Sequence, residues 1–106
     1  MEILIVNFNL DGVPEEEFAR GCDEVAPAFA AVPGLVSKVW LADRAEGVFG
    51  GVYTFDSEQA VDDYLRSDLF AGVASNPGFV NVSVRRFGVL DGPTRVTRGM
   101  PQAAGV

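Results

Sequence analysis

The stretch PGLVSKVW, residues 33–40, and its continuation GVFGGVYTF, residues 47–55, decide the fold. Both are rich in β-branched and aromatic residues and bounded by turn formers, so both read as strands, over 35–42 and 47–55. The intervening DRAEG turns the chain back on itself, and the pair is expected to form a hairpin. Period-2 alternation sets Lys38 and Trp40, the only lysine and the only tryptophan of the chain, on one face together. The neighbouring strand carries Gly50 and Gly51 side by side, where a sheet prefers side chains. Two readings of that pair are open. The glycines either clear both faces, for a ligand on one side and a partner's backbone on the other, or form a β-bulge that curves the sheet.

Working outward, EILIVNFN (2–9) reads as a first strand closed by Asp11-Gly12. The segment VPEEEFARGCDEVAPAFAAV places Phe18, Cys22, Val25 and Phe29 on one helical face, with Pro14 and three glutamates at its start. Pro27 lacks an amide and crowds the preceding turn, so a kink or break is expected there. After the hairpin, Asp56 and Gln59 have capping-box spacing, with Ser57 as the alternative cap. Val61, Tyr64, Leu65 and Leu69 then mark one helix running to about Ala74, stopped by SNPG. A last strand runs from Phe79 to about Leu90, and residues 93–106 read as a tail behind a domain of residues 1–92. This order, with right-handed crossovers, gives an α+β ferredoxin-like βαββαβ sandwich: a four-stranded antiparallel sheet with two helices on one face. The first and third strands are apolar on both faces, and no helix is left for the second face. A partner subunit in a two-fold dimer is the expected cover.

Composition narrows the chemistry. The 106 residues fit one domain, and the 48% hydrophobic and 22% charged content is ordinary for a globular protein. No apolar run approaches the ~20 residues of a membrane span, and MEILIVNF lacks the basic start of a signal peptide, so a cytoplasmic protein is expected. One cysteine and no histidine leave no plausible zinc, copper or haem ligand set and no histidine-based nucleophile activation. A net charge of -7 opposes nucleic acid and anionic membranes. RNA-recognition modules share the element order, and VFGGVY echoes their third-strand motif, but the charge and Gly51 in place of a stacking aromatic argue against that reading.

PGLVSKVWLAD, GGVYTFDSEQAVDDYL and FVNVSVRRFGVLD together resemble the YdhR-type monooxygenase family of the dimeric α/β-barrel superfamily, which also holds the cofactor-free antibiotic-biosynthesis monooxygenases. The likeness spans residues 3 to about 92. It implies a homodimer of ferredoxin-like subunits, each with a pocket between sheet and helices. It further implies a cofactor-independent reaction in which a small phenol, hydroquinone or polyketide-like substrate is deprotonated and reduces dioxygen directly. In that scheme Lys38 and Arg86 stabilise the anion, and Tyr53 and Trp40 wall a flat ring with their polar atoms as handles. Tyr64 aims its hydroxyl into the pocket, and Phe55 and Asn7 complete the set. Each residue also has an ordinary structural role as its alternative: a solvated or ion-paired charge for Lys38 and Arg86, core packing for the aromatics, a strand end for Asn7. A small-ligand binding module and a non-oxidative isomerase or cyclase are the alternative functions.

Overall fold

The structure, a computed structural model, describes residues 1–100. The elements are β1 (Glu2–Leu10), α1 (Glu15–Ala30), β2 (Leu35–Asp43), β3 (Val48–Phe55), α2 (Glu58–Leu65), α3 (Asp68–Ala74), β4 (Phe79–Gly88) and α4 (Asp91–Val96). The strands form one antiparallel sheet in the order β2-β3-β1-β4, as the ferredoxin-like reading requires. Alternation in β1 puts Leu4, Val6 and Phe8 under the helices, and in β3 it puts Phe49, Tyr53 and Phe55 there. With Phe29 of α1 and Ala60, Val61 and Tyr64 of α2, these residues are the core.

Register arranges the inner face in transverse rows. Lys38, Tyr53, Leu4 and Arg86 lie in one row, and Trp40, Gly51, Val6 and Val84 lie in the next. The outer face carries the row Val39, Val52, Ile5 and Arg85, followed by Ser37, Thr54, Ile3 and Phe87. One irregularity interrupts the pairing of β1 with β4, where Asn81 takes φ 55° and donates from its amide to Asn9 Oδ1 at 2.9 Å.

Four local expectations need correction. α1 runs through Pro27 to Ala30, because the proline removes a single donor near the helix end. Meanwhile Ala31 N still bonds Pro27 O and Phe29, 4% exposed, anchors the last turn in the core. Ser57, not Asp56, caps α2, its Oγ accepting from Ala60 N at 3.1 Å. The long second helix is two helices. Ser67 caps α3 by accepting from Phe70 N at 3.2 Å, and the change of direction falls between Leu65 and Asp68. Finally, the expected tail begins with a helix, since α4 spans Asp91–Val96, and the cavity bordered by Pro93, Thr94 and Met100 also touches Ile3 and Thr54 of the outer face. The chain therefore does supply an element for one end of that face. The rest of the expected tail, 101–106, lies outside the described residues.

Candidate functional site

A cleft of about 580 Å³ lies between α1 and α3 above the sheet. Val6, Gly51 and Tyr53 form its floor, Cys22 and Phe29 one wall, and Leu69 and Gly72 the other. A smaller space of about 330 Å³ lies between α1 and β2, and Phe18, Cys22 and Trp40 line both, so these side chains partition the two.

Lys38 enters the cleft from the sheet. Its Nζ sits 3.5 Å from the centroid of Phe29, 3.4 Å from Trp40 and 4.6 Å from Tyr53. Among the described residues it forms no ion pair. Burial lowers its pKa from the ordinary 10.5 to about 8, while the three ring faces favour the ammonium and oppose that shift. Cys22 faces it from α1. Burial raises the thiol's pKa, and the charge of Lys38 pulls it back.

The double glycine now has a physical account, and it is not a bulge: β3 pairs with β1 without a register shift through both residues. A Cβ at Gly50, where φ is +153°, would lie 1.9 Å from the carbonyl oxygen of Val6, so the close approach of β1 requires glycine. At Gly51 a Cβ would lie 2.7 Å from Lys38 Cε. The empty position beside Trp40 is the space through which the lysine stem crosses into the cleft.

Tyr53 is held by a buried hydroxyl–hydroxyl bond of 2.9 Å to Tyr64. Burial raises both phenol pKa values, that of Tyr64 far above the usual range, so both remain neutral donors. The structure thus brings Lys38, Trp40 and Tyr53 together at the cleft, with Tyr64 behind Tyr53. It does not bring in the other three. Phe55 is 0% exposed in the core beneath α2, and Asn7 falls on the opposite sheet face. Arg86 shares the row of Lys38 but lies on the far edge strand, three strand spacings or roughly 14 Å away. There its Nη1 binds Asp62 Oδ1 of α2 at 2.7 Å. Phe29, Cys22 and Gly72 were missed as site residues. The helical face of Phe18, Cys22, Val25 and Phe29 carried the signal for the first two, because the same face that packs on the sheet also borders the cleft.

Solved structures share this fold. SnoaB, a cofactor-independent oxygenase from Streptomyces nogalater, aligns at TM-score 0.64 and 22% identity over 84% of this chain and 93% of its own. The heme-degrader MhuD from Mycobacterium tuberculosis, with two hemes in its active site, aligns at 0.68 and 19% over 85% and 96%. A protein of unknown function from Nitrosomonas europaea, NE2512, aligns at 0.71 and 17% over 84% and 88%. Among curated proteins none matches significantly. Residues 3–100 match the profile of the family described as "Putative mono-oxygenase ydhR", and the chain belongs to that family.

Proposed function

We propose that the chain is a cofactor-independent mono-oxygenase that takes a small electron-rich aromatic into the α1/α3 cleft and holds it there as an anion against Lys38. The observation that carries this reading is the lysine itself: an ammonium set among Phe29, Trp40 and Tyr53, free of carboxylate partners among the described residues. An unpaired cation in an apolar cleft favours the ionised form of a bound phenol, and each tenfold change in that equilibrium corresponds to about 1.4 kcal/mol. The rings give flat walls, and the Tyr64 bond fixes the orientation of Tyr53. Family membership and the likeness to a cofactor-independent oxygenase support the same chemistry. Haem, which another solved relative binds, finds no histidine donor in this chain, and Tyr53 is committed to Tyr64.

The reaction balances without a cofactor. The substrate anion gives one electron to dioxygen, and the resulting radical and superoxide combine at a ring carbon that bears hydrogen. Loss of water from the hydroperoxide leaves a carbonyl. One oxygen atom ends in product and one in water, and the substrate supplies all four electrons.

Oxygen uptake with a panel of phenols and hydroquinones, together with spectroscopic titration of the bound phenol, tests the proposal. Lys38→Met should raise the bound phenol's pKa by about one unit or more and slow uptake about tenfold. Arg86→Met, on the far edge, should change neither. An unchanged titration and uptake in Lys38→Met would remove Lys38 from the mechanism. Product without oxygen uptake would indicate an isomerase or cyclase, and saturable binding without product a binding module.

The outer face supports a second element of the proposal, a homodimer. Val39 is 58% exposed and Phe87 40%, beside Ile5 and Val52 in the central rows, and a second sheet packed there would bury them.

A further inference from the structure

The geometry of the cleft points to a second chemistry. We propose that Lys38 forms a reversible imine with planar aromatic aldehydes that enter between α1 and α3. The inference rests on the reading of this cleft as the ligand site, but not on the oxygen chemistry.

Imine formation requires an amine that is neutral part of the time, walls that hold the carbonyl carbon near it, and a path for water to leave. Lys38 provides the only ε-amine of the chain, and no carboxylate among the described residues fixes its charge. The groups that face it are few: the Cys22 thiol and, among the cleft-lining residues, the Glu17 carboxylate from α1, and the neutral Tyr53 phenol from β3. α3 presents the uncharged Leu69 and Gly72. With its pKa lowered to about 8 by burial, the amine is neutral in roughly one molecule in ten at pH 7, on the order of a hundredfold more than a solvated lysine. Phe29 and Trp40 are edge-to-face at 5.2 Å beside the amine, and the cleft of about 580 Å³ between α1 and α3, on which they border, leaves room for a ring.

The step is closed in atoms and electrons. The Nζ lone pair adds to the carbonyl carbon, the carbonyl π pair moves to oxygen, and a proton passes from nitrogen to that oxygen. The carbinolamine then loses its hydroxyl as water with one further proton drawn from solvent, and the nitrogen lone pair closes the C=N bond. Nothing is oxidised or reduced. A protonated imine keeps a positive charge where the ammonium was, so the ring contacts that favour the ammonium also favour the product.

The test is trapping with 2-naphthaldehyde and cyanoborohydride on the full chain, read by intact mass and peptide mapping. Lys38 should be labelled about tenfold faster in the folded chain than in the same chain unfolded in urea, with a rate that climbs with pH and levels off above about 8. Gly72→Leu starts a side chain where a Cβ meets nothing within 4 Å, on the wall of the cleft, and so narrows it. It should slow naphthaldehyde labelling about tenfold and leave acetaldehyde labelling within about twofold. Gly21→Leu, at an equally open position on the facing helix, is the second variant. Labelling of Lys38 no faster in the folded chain, or equal effects of both variants on the two aldehydes, would overturn the proposal. Oxygen uptake is read separately: uptake without enhanced labelling defeats the imine alone, and enhanced labelling without uptake defeats the mono-oxygenase reading alone.

Discussion

The two faces of the sheet start from similar residues and reach different ends. The inner face is largely aromatic, and α1, α2 and α3 close over most of it. Where they part, a single ammonium stands in the gap. The outer face is aliphatic at its centre, where Val39, Val52, Ile5 and Ile3 meet with Arg85, Ser37 and Thr54 around them; it has α4 at one end and leaves Val39 and Phe87 in solvent in the single chain. The inner face combines packing with chemistry because aromatic rings can do both: they fill volume, and their faces attract a cation. Aliphatic side chains fill volume only. A flat, exposed and mainly apolar surface fits a protein contact better than a site for a polarised substrate.

The largest expected effect separates core from surface. Phe55, fully buried against Tyr53 and Tyr64, should cost about 3–5 kcal/mol on Phe55→Ala in urea unfolding. The loss should come without any direct role in the cleft, and a loss under about 1 kcal/mol would show that the inner face tolerates cavities and is not a packed core.

A charge on the outer face probes the other half of the comparison. On an isolated subunit Val39→Asp should alter stability by no more than about 0.5 kcal/mol, because the residue is exposed. In a dimer packed through this face it should weaken association about a hundredfold or more, as sedimentation velocity would show. A wild-type chain that sediments as a monomer at micromolar concentration would end the argument for the dimer.

The smallest effect concerns Lys38 and pH. Its folded pKa, about 8, lies below the ordinary 10.5, so folding disfavours the charged amine. That penalty is fully present below pH 8, and it fades as pH rises from 8 towards 10.5 because the unfolded chain then binds more protons than the folded one. The stability of the wild type should therefore gain on that of Lys38→Met across this window. Cys22, with its raised thiol pKa, contributes the opposite slope, and because Lys38 and Cys22 act on each other the pair is compared on a Cys22→Ala background, where the difference isolates the lysine. Parallel pH curves would mean that Lys38 is solvated in the folded chain.

The strands and their faces were legible because period 2 is a local property: Lys38 and Trp40 share a face whatever lies next to them. Strand order is not local. Arg86 has the parity of Lys38, and only the position of β4 on the opposite edge removes it from the cleft. The same limit applies to Phe29, whose place beside Lys38 depends on α1 continuing past Pro27. A proline near a helix end removes too little to stop the helix, and residue preference alone does not measure that distance. The division between α2 and α3 was hidden because one serine cap interrupts a continuous apolar period. Tyr64 and Leu69, on either side of it, both still point inward.

The gap at Gly51 also sets the aim of the charge. A Cβ gained there would meet Lys38 Cε at 2.7 Å, and because that atom is near the tip of a flexible side chain, the lysine would swing aside while the strands kept their register. One methyl group on the floor would thus move the ammonium away from its rings, which makes Gly51 a position that steers the cation without touching a ligand.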